Sequence, residues 1–250
     1  MSYLYHTKIT LEYFANTAFF IRAGNHRILL DSFFSRRVMP FSAIPADLMN
    51  DMLEGTGSFS GTDLILATHC HKDHCDEDDL INCKLNASVI IPKDAFSGYT
   101  KRPALYMIYV GDPGAVWEDD EIMITAVKTE HAESNIAAAR LHFSYIIHFK
   151  QPDKYMVIMG DAEAVPGMFA DWLQGAKVSA VIINFVNINL ETGRAFLQDL
   201  APEKAIFCHL PLPEDDKTHI GTLAIRNAQR RENELPPYII CYKPGTVIEL

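Results

Sequence analysis

Apolar and polar positions alternate through KITLEYF, residues 8–14, and a second run, TAFFIRA, follows at once. GNH then turns the chain into RILLD, which ends at Asp31. This pattern predicts three antiparallel strands. Residues 32–60 carry no strand period. Within them, IPADLMNDMLE puts Leu48, Met49, Met52 and Leu53 on one helical face, with Pro45 suited to the first turn. DLILAT is a continuous apolar run and reads as a buried strand. DEDDLIN then reads as a helix start, with Asp76 as N-cap and acids in the first turn. Further strands are expected at SVIIP, EIMITAV, RLHFSYIIHF, YMVIMGD, SAVIINF and KAIFCHL, and helices over 164–174, 191–200 and about 215–233. Strands dominate early, and strand–helix alternation appears in both halves. The expected class is α/β, a sandwich of two mixed sheets with helices outside.

Length and composition narrow the picture. A chain of 250 residues that is 48% hydrophobic can bury one large core, so a single domain over 1–250 is expected. The net charge of −10 argues against nucleic acid as a partner, because phosphate binding needs an excess of Lys and Arg. The opening MSYLYHTKIT lacks the basic-then-apolar pattern of a secretory signal, and VSAVIINFV is far too short for a membrane span. Cys70, Cys75, Cys83, Cys208 and Cys241 are odd in number and unevenly spaced, which suits free thiols in a reducing cytoplasm. A cytoplasmic protein acting on a small molecule is expected, with homo-oligomerisation left open.

Chemistry concentrates in THCHKDHCD, residues 68–76. His69 and His71 are two apart and point the same way in an extended loop. Asp73 continues that series, and His74 faces elsewhere. Such a loop can aim two histidines at one metal and the Asp73–His74 pair at a second. Cys70 and Cys75 have no second Cys/His pair at a finger-like distance, which disfavours a zinc knuckle. The remaining ligands are sought where functional groups gather, beyond the carboxyl ends of strands. Asp161 ends YMVIMGD, His209 ends KAIFCH, and His131 comes shortly after EIMITAV. His142 and His148 compete with His131. They share a strand face with Ser144, opposite Phe143, Tyr145, Ile147 and Phe149, and that face is expected to meet solvent. His219 competes with His209 from a helix start, while His6 and His26 read as surface or turn residues. Asp31 ends a strand on the same edge and is expected to orient a ligand histidine. Arg36 and Arg37 form either a solvated loop tip or a grip for an anionic substrate.

His69-Cys70-His71-Lys72-Asp73-His74 resembles the His-x-His-x-Asp-His signature of the metallo-β-lactamase superfamily, and Asp31, His131, Gly160-Asp161 and His209 extend the resemblance along the chain. The resemblance implies the αββα four-layer sandwich, with two divalent metals in a groove along one edge. It implies that His69, His71 and His131 hold one metal, that Asp73, His74 and His209 hold the second, and that Asp161 bridges both. Asp161 stands where antibiotic-degrading members commonly use cysteine, which argues against a β-lactamase. His71 stands where flavodiiron members carry glutamate, which argues against iron redox chemistry. LEYFANTAFFIRAGNHRILLDSFF is most similar to the branch containing ascorbate-phosphate lactonase and N-acylphosphatidylethanolamine phospholipase D. Ala15-Asn16 stands where many members of that branch carry Gly-His, and Asn16 joins Arg36 and Arg37 as a candidate substrate contact.

Two such metals can share a hydroxide, since a single zinc already lowers the pKa of its water to about 7. Asp73 is the residue to orient that nucleophile and move its proton. The expected activity is hydrolysis of an ester, lactone or phosphodiester. Zn is the first expectation for the metal, and Mn and Fe suit the same ligands. Gly-x-Ser-x-Gly and a Walker loop are both absent. The rival reading is a non-catalytic metal-binding sensor or interaction module on the same fold.

Overall fold

A computed structural model describes residues 8–132 and 140–250; His6 lies outside the described residues. β1 (Ile9–Ala15), β2 (Ala18–Ala23) and β3 (His26–Leu30) form the predicted antiparallel meander. In β1 the alternation holds: Ile9, Leu11 and Tyr13 are buried, while Thr10 and Glu12 lean outward. Gly24, at φ 58°, supplies the left-handed corner between β2 and β3. From β3 the sheet continues in parallel through β4 (Leu64–Leu66), β5 (Ser88–Pro92) and β6 (Tyr106–Val110). The last strand, β14 (Thr246–Glu249), pairs antiparallel with β1 and completes seven strands.

The second sheet repeats this plan. β7 (Gly114–Glu118), β8 (Ile122–Lys128), β9 (Phe143–Phe149) and β10 (Lys154–Ile158) are antiparallel. β11 (Val178–Asn184), β12 (Ala205–Cys208) and β13 (Tyr238–Ile240) continue in parallel from β10. Tyr13, Phe19 and Phe20 of the first sheet share one buried cluster with Phe143, Tyr145 and Phe149 of the second. Met49 and Met52 of α1 (Ala46–Glu54) and Leu80, which ends α2 (Glu77–Leu80), join it. On the other face of the second sheet, Val127, Ile146, Val157 and Val181 pack with Leu173 of α3 (Ala170–Leu173), Phe196 of α4 (Glu191–Leu200) and Ala228 of α5 (Ile220–Arg230). This is the expected class: two mixed sheets with helices outside. No described helix is long and apolar enough to cross a membrane.

Several expectations shift in detail. Asp76 caps α2 as predicted, its side chain accepting from the Asp78 N–H at 3.1 Å. Pro45 sits at the N-cap of α1, one step before the first turn. The helix expected over 164–174 contracts to α3. β6, β7, β13 and β14 are strands that the sequence pattern does not signal; each is an edge strand or nearly so, with little alternation of burial. The face of β9 that carries Ser144 and Ile146 is not solvated. The helices cover it, so Ser144 and Ile146 are buried, and so is His142 just before the strand. Only His148 reaches outward, where it bonds Asp153 at 2.8 Å and stacks on Tyr155.

His26 is more than a turn residue. Its Nδ1 lies 2.6 Å from Asp63 Oδ2, and its Nε2 lies 3.1 Å from Asp119 Oδ2. Asp119 precedes β8, so this buried imidazole joins the two sheets at the end where β3 begins. The Asp63 hydrogen bond raises the His26 pKa; burial opposes it, and Asp119 adds to it. A raised folded pKa means that the latch contributes fully below the unfolded value of about 6.5 and fades as pH rises through the folded one. Replacing His26 with Gln is expected to lower stability by about 1.5 kcal/mol at about pH 5.5, with the gap closing toward about pH 9. Urea midpoints of both chains at the two pH values check this; a gap independent of pH would remove the charged latch.

Candidate metal centre

Parallel strands deliver their carboxyl ends to one edge, and that edge is where the polar residues collect. Asp31 follows β3, and residues 68–76 follow β4. Met159-Gly160-Asp161 follows β10, and His209 follows β12. His131 comes after β8 and is held by a bridge to Ala162. The N–H groups of His74 and Cys75 both donate to the His71 carbonyl, at 3.0 and 2.9 Å, so the loop doubles back between His71 and His74. Asn16, Asp31 and His209 take left-handed φ values of 46°, 42° and 68°. Such backbone costs about 1–3 kcal/mol per residue and collects where geometry serves a site.

The side chains converge in three groups whose nitrogen and oxygen atoms lie within 4.8 Å of one another: His69, His71 and His131; Asp73, His74 and His209; and His69, His74 and Asp161. Asp161 thus meets one histidine from each of the other two groups. Its Oδ2 lies 3.2 Å from His74 Nε2, 3.3 Å from His209 Nε2 and 3.6 Å from His131 Nε2. His209 Nε2 is also 3.5 Å from Asp73 Oδ2 and 3.1 Å from His74 Nε2. Of the rivals named from sequence, His148 lies outside these groups, as does His219, which precedes α5.

Asp31 sets the histidines behind this cluster. Its Oδ1 accepts the Thr68 N–H at 2.8 Å, and its Oδ2 accepts the Thr68 hydroxyl at 2.7 Å. With that hydroxyl proton committed, Thr68 Oγ1 must accept from His69 Nδ1, 3.0 Å away. Asp31 Oδ2 also takes the His74 Nδ1–H at 3.0 Å. One carboxylate therefore fixes the tautomer of a histidine in each triad and turns both Nε2 lone pairs toward the cavity. His69 Nε2 is buried with no hydrogen-bond partner among the described residues, an arrangement that a cation would complete.

Burial and the neighbouring histidines push the His69 pKa well below its ordinary value, leaving a neutral donor. Burial acts the same way on His74, but the Asp161 and Asp31 carboxylates outweigh it and hold that imidazole well above the histidine range. Burial would raise Asp161, yet His209 and His74 hold it well below the carboxylate range.

Other expected contacts fall differently. Asn16 is fully buried and acts from behind: its Nδ2 donates to the Asp73 carbonyl at 2.9 Å, and its own carbonyl accepts the His209 N–H at 2.7 Å. Thr17 Oγ1 adds a second bond to the Asp73 carbonyl at 3.2 Å. Arg36 and Arg37 form no open fork. Arg37 binds the Asp215 carboxylate at 2.8 Å, the Asp215 carbonyl at 3.0 Å and the Phe41 carbonyl at 3.2 Å. Arg36 is paired with Asp78 at 2.6 Å and Asp76 at 3.2 Å. An anion would have to compete with these carboxylates. Phe41 instead puts its ring edge-on to His209, with centroids 4.1 Å apart.

Two supporting residues, Thr68 and Asn184, carry no individual signal in the sequence, and a third, His142, is the rival to His131 whose face was expected to meet solvent. Thr68 ends the β4 run and carries the Asp31 bonds described above. Asn184 ends β11, where the strand-end rule points; its Oδ1 accepts the Val186 N–H, so its Nδ2 faces Asp161 Oδ1 at 3.2 Å. His142 accepts the Asp161 N–H on Nε2 at 3.0 Å, and burial pushes its pKa down to about 3.

The β-lactamase superfamily domain matches residues 26–210 of this sequence. No curated protein matches it. Among solved structures, the chain is similar to Igni18, a metallo hydrolase from Ignicoccus hospitalis, at 15% identity and TM-score 0.64 over 98% of this chain and 99% of that one. It is similar to an isothiocyanate hydrolase from Delia radicum gut bacteria at 14% identity and TM-score 0.68, over 96% and 98%. It is also similar to CmlA, a diiron β-hydroxylase from Streptomyces venezuelae, at 15% identity and TM-score 0.61, over 98% of this chain and 54% of that one. At these identities the likeness is one of fold.

Proposed function

Because the chain belongs to the metallo-β-lactamase superfamily, we propose that it is a metal-dependent hydrolase whose two triads each hold a divalent cation. The observation that carries this reading is the convergence of five histidines and two aspartates into overlapping groups, with Asp161 reaching both triads. The nitrogen and oxygen donor set, the bare His69 Nε2 and the tautomers set by Asp31 fit Zn²⁺, Mn²⁺ or Fe²⁺. His69, His71 and His131 would hold one cation, Asp73, His74 and His209 the other, and Asp161 would bridge. Bound there, such cations supply an acidified water and polarise the oxygen under attack.

The chain's own residues do the rest. Asp73 is pinned through its carbonyl by Asn16 and Thr17, and its carboxylate lies at the mouth of its triad. It orients the attacking water and takes its proton. Asn184 keeps Asp161 Oδ1 occupied, so Oδ2 faces the histidines. The Phe41 ring packs perpendicular to His209 on one side. The substrates we propose are esters, lactones or phosphodiesters, and the opening strands suggest the branch of ascorbate-phosphate lactonase and N-acylphosphatidylethanolamine phospholipase D. The self-paired arginines lend no support to an anionic substrate.

The test is turnover of chromogenic esters, lactones and phosphodiesters, with elemental analysis of the same preparation. About two cations per chain are expected, with activity lost to chelator and restored by added metal. A ratio near one with full activity would sink the dinuclear reading. Bound metal with no turnover on any class would favour the sensor.

A further inference from the structure

We propose that His142 is a positioning residue that fixes the Asp161 carboxylate by clasping the turn on which it sits. This rests on the reading of Asp161 as a metal ligand. His142 is 2% exposed and touches Asp161 only at the backbone, where its Nε2 accepts the Asp161 N–H at 3.0 Å. Its Nδ1 lies 2.7 Å from Thr129 Oγ1. Thr129 Oγ1 lies 3.2 Å from Ser144 Oγ, which donates to the Met159 carbonyl at 3.0 Å.

The direction of each bond is forced. A backbone N–H can only donate, so His142 Nε2 accepts and Nδ1 carries the proton. Thr129 Oγ1 then accepts from Nδ1 and gives its own proton to Ser144. Ser144 gives its proton to Met159, whose carbonyl can only accept. The series begins at Asp161 and ends at Met159, on either side of Gly160. Three side chains from the ends of β8 and β9 therefore hold the turn at both flanks. They act on the backbone, leaving both carboxylate oxygens of Asp161 to Asn184 and the histidines. A turn that rocked by a fraction of an ångström would carry Oδ2 away from both triads at once.

A residue that merely fills space behind the turn would be replaceable by any side chain of similar size. Gln can accept on Oε1 and donate from its amide, keeping the series intact. Leu fills the volume and breaks it. Calorimetric titration of zinc into metal-free protein is therefore expected to show His142→Leu weakened about 10–100-fold at both sites, and His142→Gln close to the wild type. Thr129→Val, which removes the Nδ1 partner and the donor to Ser144 but leaves the His142–Asp161 bond, is expected to shift affinity in the same direction by less. The proposal is overturned if the Leu chain binds zinc as the wild type does, or if the Leu and Gln chains are weakened alike. Should the Leu chain not fold, unchanged affinity in Thr129→Val overturns it. A wild-type chain that binds no zinc overturns the metal reading together with this one, whereas a wild type that binds normally beside an unaffected Leu variant overturns the positioning role alone.

Discussion

Asp161→Asn is expected to fail at both triads together. Among the described residues, the carboxylate is the one group whose oxygen faces His74, His209 and His131 within 3.6 Å. An amide keeps the shape but loses the charge, and its NH₂ can turn a donor toward three imidazole nitrogens. By contrast, His209→Ala removes a single donor from the Asp73–His74 group and leaves His69, His71 and His131 in place. Equilibrium dialysis should therefore show two weakened sites in the first variant and one in the second. Losing the bound cations removes several kcal/mol of transition-state stabilisation, roughly a thousandfold in turnover. Indistinguishable metal loss in the two variants would count against a bridging carboxylate.

Gly160→Ala should cost the most stability of any small change near the site. Gly160 has φ 55°, where a Cβ costs about 1–2 kcal/mol in backbone strain. That Cβ would stand 2.7 Å from His142 Nε2 and 2.8 Å from Thr68 Cβ and Oγ1. Neither neighbour is a free end: His142 bonds Asp161 and Thr129, and Thr68 bonds Asp31 and His69. Crowding of this kind adds about 1–3 kcal/mol, for a total near 2–5 kcal/mol. Gly167 is the control, with φ 81° and nothing within 4 Å of the added carbon. Gly167→Ala should show the backbone cost alone. Equal urea midpoints for the two alanine chains would mean that the contact at Gly160 relaxes freely.

The sheets and the cluster were legible in the sequence for one shared reason. Alternation in KITLEYF and the unbroken apolar runs of DLILAT, YMVIMG and KAIFC mark strands buried on one or both faces, and a ligand-type residue directly follows each of those three runs. The edge strands were not legible, because a strand such as YMIYV is exposed or half-buried at every position but the last, so neither its sequence nor its burial alternates. His142 was misplaced by the same logic. Period two says which residues share a face, and it is silent on whether helices will cover that face. Asn184 ends a strand yet gives no signal of its own, because an amide is not the imidazole or carboxylate donor that the motif points to and it acts through Asp161. The engagement of Arg37 by Asp215 spans 178 residues of sequence, and no local pattern encodes it.

That same contact has a partner. Ser42 Oγ accepts the Leu212 N–H at 2.8 Å, so Arg37–Asp215, Ser42–Leu212 and Phe41–His209 tie two distant loops together in three places. Substitutions in residues 36–42 and 209–216 therefore will not contribute independently to stability or selectivity. Contacts of this kind give interaction energies of about 0.5–3 kcal/mol in double-mutant cycles. Variation in one loop will be tolerated or rejected according to what the other carries, so the two segments are inherited, and are best redesigned, as a single epistatic unit.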